Sequence, residues 1–252
     1  MLEPFDYLVP SSIEDAISML SMDGTKAIMG GTDLVVQITE HRIIPKALVD
    51  LAAIPGLDEL SVKRGKITIG AAVTHARLAE WAEKEKPYYA LYEASGAVGT
   101  PQVRNLATVV GNLCNAVPSA DLAAPLLVLD TNVRIAGADG IRNIPLNAFF
   151  TGPKKTVLKK NEIVTEISIS SLPVCSVSRY YKLGPRNASD LAIVGVACAM
   201  SVDGQGRLVR LQFGLSAVGP TPLLVDGSAW IGQAPDETVA WACAKMCAQA
   251  CS

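Results

Sequence analysis

The chain has 252 residues, half of them apolar and 18% charged, a composition that can fill a sizeable core and excludes a disordered chain. Its 22 basic and 24 acidic residues leave a formal net charge of −2, so no basic excess draws it to nucleic acid or to an anionic membrane. At roughly 100–200 residues per domain, the length suggests one large domain or a few small ones.

The amino-terminal stretch "MLEPFDYLVPSSIEDAISML" carries acids and prolines where a signal peptide has a basic start and an apolar run. The most apolar stretches, "LAAPLLVLD" and "LAIVGVACAM", are too short to span a bilayer as helices. The expectation is a soluble cytoplasmic protein with no membrane span. Ser11 or Ser12 caps a first helix, with Glu14 and Asp15 in its first turn and Ile13, Ile17 and Leu20 at helical spacing. "KAIMG" reads as a strand, "TDLVVQITE" as a helix start and "KALVDL" as another strand, an alternation that suggests a small α/β unit. "LDELSVKRGKITIGAAVTH" reads as two strands around a turn at Lys63–Lys66.

"THARLAEWAEK" and "YYALYEASGAV" read as helices, the first capped by Thr74. "ATVVGNL" reads as a strand entering a glycine turn, and "SADLAAPLLVLD" as a helix with Ser119 near its start and Asp121 in its first turn. "NVRIAG" and "EIVTEISI" read as strands, and a boundary is expected near Ser170–Ser176. Beyond it, three antiparallel strands are expected, joined by "PRNA" and "DGQG" turns, before a helix from about Asp236. The six cysteines are Cys114, Cys175, Cys198, Cys243, Cys247 and Cys251; none form a CxxC pair, and disulfides are not expected. The last three share one helix face, which suggests either a metal or iron–sulfur site or, as the plainer reading, small residues packing closely.

Three stretches can carry chemistry. In "MGGTDL" the glycine pair lets backbone N–H groups turn toward a ligand, and the helix start behind it adds positive partial charge. It suits a phosphate or pyrophosphate, although it is neither GxGxxG nor GxxxxGK[ST], and a plain turn is the competing reading. "TPQVRNLATVVGNLCNAVPSADL" offers a second backbone turn at Gly111 and Asn112, followed by Asn115, Ser119 and Asp121. Asp121 can accept hydrogen bonds from sugar-like hydroxyls, or it can serve a helix start. "YYKLGPRNASDLAIV" sets Lys182 and Arg186 close to Asp190, as a solvated ion pair or as cations facing a cofactor. His41 and His75 are isolated, and His75, following Thr74, fits a surface or capping role. No nucleophile triad, HExxH or carboxylate cluster emerges.

Together the three stretches resemble the FAD-binding medium subunit of the molybdenum hydroxylases, the family of xanthine dehydrogenases, carbon monoxide dehydrogenases and 4-hydroxybenzoyl-CoA reductases. The family's AGGTDL-like loop stands here as Met29–Leu34. Its QIRN-x-ATIGGN and NASP-x-SD stretches stand as Gln102–Asn112 and Asn115–Asp121, and its K-x-x-x-R-x-x-x-D element as Lys182, Arg186 and Asp190. Val110 replaces the first glycine of the second loop, Val117 a serine and Met29 an alanine.

The resemblance implies an α+β fold of the PCMH/CO-dehydrogenase flavoprotein type. It places FAD-binding subdomain 1 at residues 1–53, FAD-binding subdomain 2 at 54–172 and a smaller α+β C-terminal domain, in shortened form, at 173–252. It also implies a site. Met29, Gly30, Gly31, Thr32, Asp33 and Leu34 would form a first pyrophosphate cradle, and Thr108, Val109, Val110, Gly111 and Asn112 a second. Cys114 and Asn115 would lie along the flavin tail, Asp121 would reach a sugar-like hydroxyl, and Val164 and Lys182 would sit near the ring. The implied activity is that of an oxidoreductase subunit passing electrons between 2Fe-2S clusters on a small subunit and an external acceptor such as NAD. Molybdopterin would lie on a large subunit, in a dimer of heterotrimers, and no metal site would lie on this chain. A stand-alone FAD-dependent oxidase or dehydrogenase and a FAD-free scaffold are the alternatives.

Overall fold

The computed structural model describes residues 3–186 and 189–251. It opens with β1 (Asp6–Leu8), α1 (Ile13–Leu20), β2 (Thr25–Ile28), α2 (Leu34–Thr39) and β3 (Ala47–Asp50). The strands form a parallel sheet in the order β1-β3-β2. Ser12 caps α1 by accepting from the Asp15 amide, and Ala16, Ile17 and Leu20 bury its inner face. The Met29–Leu34 loop leaves the carboxyl end of β2, the end at which parallel sheets place ligands.

Next come β4 (Leu60–Lys63), β5 (Lys66–Gly70), α3 (His75–Ala82), α4 (Tyr89–Ala97), α5 (Pro101–Leu106), α6 (Val109–Asn115) and α7 (Ala123–Val128). They are followed by β6 (Thr131–Gly137), β7 (Gly140–Pro145), β8 (Phe150–Gly152), β9 (Lys155–Thr156) and β10 (Ile163–Ile169). An antiparallel sheet runs β4-β5-β10-β6-β7, with α6 packed against β10 and α7 against β6. Its core holds Ile67, Ile69, Leu126, Ile135 and Ile167, each essentially without solvent contact. Each such side chain contributes about 1.5–3 kcal/mol through burial. The β10 register shifts between Val164 and Glu166, and Ile163, Val164 and Thr165 are buried in succession.

The last part is an antiparallel sheet of β11 (Ser176–Leu183), β12 (Val194–Val202), β13 (Leu208–Ser216) and β14 (Leu223–Asp226), with α8 (Glu237–Ala250) capped by Asp236. The "PRNA" turn includes Asn187 and Ala188, which lie outside the described residues. Strand alternation sorts the faces. Ala197 and Ala199 of β12 join the main core with Tyr180, whereas Cys198 and Met200 face α8.

Several expectations are corrected. "TVVGNLCN" is a helix, not a strand entering a turn: Thr108 caps it by accepting from the Gly111 amide at 3.1 Å, and only an isolated bridge, Thr74 to Thr108, is strand-like there. The β-branched Val109 and Val110 read as strand, but both are buried helix residues. The next helix begins at Ala123, so Ser119 and Asp121 precede it, and Leu122 makes no side-chain cap. The α8 cysteines do not all pack closely. Cys243 is buried and Cys251 exposed, and an apolar cavity of about 630 Å³ separates this helix face from the sheet. Among the described residues, no group of three or more His, Cys, Asp or Glu is placed to hold a metal ion, and no helix is long and apolar enough to cross a membrane.

Candidate functional site

A cleft of about 360 Å³ opens between the first sheet and the second. Its walls are the Met29–Leu34 loop, the start of α6 and the start of β10. Met29, Gly30, Gly31, Thr32, Asp33 and Leu34 line it, as do Thr108, Val110, Gly111, Asn112, Cys114, Asn115 and Val164.

Each glycine of the first loop has its own reason. Gly31 sits at φ +71°, left-handed backbone that other residues rarely adopt. Gly30 faces the end of α5, where a Cβ would overlap the Leu106 carbonyl oxygen. One glycine therefore turns the loop, and the other lets it lie against the second loop's approach. The Val35 amide donates to the Gly31 carbonyl at 2.9 Å, which starts α2. Among the described residues, none accepts a hydrogen bond from the N–H of Gly30, Gly31, Thr32, Asp33 or Leu34. Successive unpaired amides along a concave wall bind an anion.

The second loop is more committed internally. The Val109 amide donates to the Val73 carbonyl and the His75 amide to the Ala107 carbonyl, both at 3.0 Å. Gly111 donates to its Thr108 cap, which leaves the Val110 amide without a partner among the described residues. A Val110 side chain fits here because it is only 4% exposed and packs into the core.

Val109, Asp121 and Lys182 do not line the cleft. Val109 is in the core. The Asp121 carboxylate accepts from the Tyr180 hydroxyl at 2.7 Å and from Lys182 Nζ at 3.0 Å. Strand period two puts Tyr180 and Lys182 on one face, so a single carboxylate takes both. Burial raises the Asp121 carboxyl above its usual value, and the Tyr180 and Lys182 partners pull it back. Lys182 also donates to the Ala97 carbonyl at 3.1 Å and lines a smaller cavity with Gly99, Pro101 and Arg104. That segment is shared: Val98 and Val103, interleaved with those residues, line the main cleft. Arg186 pairs with Asp190 at 3.7 Å.

Sequence reasoning missed three features of the cleft. Glu162 lines it, but Arg142 at 2.8 Å and the Lys159 amide hold that carboxyl low and spent. Helix α5, which carries Val103 to the cleft and Arg104 to the smaller cavity, had a signal in "TP", a cap followed by proline at the first helical position. His75 is not at the surface: it is fully buried and lines the cleft. Cys114 presents a thiol pushed up to about 12 by burial, which makes it wall rather than nucleophile.

Residues 3–172 match the family described as the FAD binding domain in molybdopterin dehydrogenase, and residues 179–252 match the CO dehydrogenase flavoprotein C-terminal domain. The xanthine dehydrogenase FAD-binding subunit of Escherichia coli O157:H7 is 33% identical over 88% of this chain and 77% of the relative. The nicotinate dehydrogenase FAD-subunit of Eubacterium barkeri is 30% identical over the same shares. A carbon monoxide dehydrogenase from Hydrogenophaga pseudoflava superposes with a TM-score of 0.93 at 26% identity, covering 100% of this chain and 88% of that one.

Proposed function

The chain belongs to the family of FAD-binding subunits of the molybdenum hydroxylases, and we propose that it carries electrons between 2Fe-2S clusters on a small partner subunit and an external acceptor. A large subunit would hold the molybdopterin, and the three would assemble as a dimer of heterotrimers. NAD is the first acceptor to try.

The observation that carries this reading is the row of unpaired amides from Gly30 to Leu34 facing the cleft. Those donors, joined by the Val110 amide, fit the pyrophosphate of FAD. Met29 and Leu34 would end the first cradle. Thr108, Gly111 and Asn112 would shape the second, with Val109 pinning it from behind through Val73. Cys114 and Asn115 would follow the flavin tail. Val164 would wall the ring end, and Lys182, held by Asp121, would set the positive charge beyond it. When bound, FAD supplies the redox chemistry, in single electrons or as a hydride pair. The chain's own work is to bind, orient and limit access; of the two acids that line the cleft, Asp33 and Glu162, the second is already paired with Arg142.

Affinity purification of the chain from its native cells tests this. Co-elution of flavin, iron, molybdenum and two further subunits is expected. A lone flavoprotein that oxidises a substrate by itself would contradict it, and so would a flavin-free chain bridging other subunits.

A further inference from the structure

His75 is the first residue of α3, and its amide ties that helix start to Ala107, just before the second cradle. Its side chain is fully buried and lines the cleft, yet neither ring nitrogen has a hydrogen-bond partner. Burial, assisted by the nearby Arg104 guanidinium, lowers its pKa to about 4. At neutral pH the ring is therefore uncharged, with one N–H donor and one bare nitrogen. The Oδ1 of Asn112, in the same wall, also lacks a partner. Buried polar groups are almost always paired, so two orphans on one cavity wall call for a ligand with complementary atoms. The neighbouring unpaired amides and the His75 N–H are donors, which an anionic oxygen matches, whereas the Asn112 Oδ1 is an acceptor and takes a donor such as a ligand hydroxyl.

We propose that His75 is a cofactor-binding residue whose neutral imidazole donates an N–H to a phosphate oxygen of bound FAD. This rests on the FAD reading of the same cleft. The Arg104 guanidinium donates to the Val98 and Gly99 carbonyls at 3.0 and 3.3 Å, so it adds positive charge nearby while staying fixed in the wall.

The chain has only two histidines, which makes the test direct. In the full-length chain with ¹⁵N-labelled histidine, stripped of flavin, exposed His41 serves as the internal reference. FAD, ADP (pyrophosphate without flavin) and riboflavin (flavin without phosphate) are titrated separately. The His75 ring signals are expected to shift with FAD and with ADP, and to stay in place with riboflavin. His75→Leu is expected to weaken FAD binding roughly tenfold to a hundredfold, the loss of a hydrogen bond to a charged group, without lowering the apo melting temperature. His75→Asn, which keeps a donor, should bind within a few-fold of the parent. FAD binding with silent His75 signals overturns this inference alone. So does a response to riboflavin only, or a folded His75→Leu that binds FAD as tightly as the parent. Failure of FAD itself to bind overturns both this inference and the FAD reading.

Discussion

Gly31 is held at φ +71°, where a branched side chain is strained, and a Cβ there would press on Ile28 and Val35 at 3.3 Å. Gly31→Val is expected to cost about 1–3 kcal/mol of backbone strain and to displace the amides behind it. FAD content after reconstitution should fall to background while the rest of the chain still melts cooperatively. Asp121 presents a different balance. Its side chain and that of Lys182 are 9% and 12% exposed, so Asp121→Ala strands an ammonium in the interior. A loss of about 3–5 kcal/mol is expected in urea unfolding of the apo-protein. His75 adds a pH dependence. Its folded value of about 4 lies below the ordinary 6.5, so between those values the unfolded chain binds more protons. Stability should therefore fall as pH is lowered through that window, by at most about 1.4 kcal/mol per pH unit, and His75→Leu should flatten that part of the curve. The two glycines were legible because their chemistry is local. The burial of His75 and the bonding of Asp121 to residues 59 and 61 positions away were not, since no short stretch holds both partners.

Helix α6 shows how an element can mislead. Two β-branched residues followed by a glycine read as a strand and a turn, but the Thr108 cap and burial on both sides of Val109 and Val110 made a helix. Tertiary packing overrode propensity, as it does for short elements. Thr108→Val removes the cap from the Gly111 amide and should cost about 1 kcal/mol in a thermal melt. It should also weaken FAD binding in a fluorescence titration, because the freed α6 start no longer holds the Val110 amide toward the cleft. Helix α5 was missed although "TP" announced it, because only six residues follow its cap. The longer, strongly patterned elements were read correctly: α1, α3 and α8 each begin at the cap read or bracketed in the sequence, and β4 and β5 flank the turn at Lys63–Lys66.

At the scale of the molecule, the last sheet is joined to α4 and to the segment before α7 by polar ties that the sequence keeps far apart. The Ala90 amide donates to the Ser178 hydroxyl, Arg179 pairs with Glu93, and Asp121 receives Tyr180 and Lys182. A Cβ at Gly214 would overlap the Ala124 carbonyl oxygen, so β13 lies directly on α7. The order of sheets was readable from alternating patterns, whereas their mutual docking was not, because it depends on such single contacts. The cleft exists only between the first two sheets, and its donors come mainly from one loop. The measurement that tests this most directly is a titration of the purified full chain with FAD, followed by quenching of flavin fluorescence, beside the Gly31→Val variant. Saturable binding of one FAD per chain is predicted, lost in the variant while its fold persists. Equal binding by the parent chain and Gly31→Val, or no saturable binding by the parent, would contradict it.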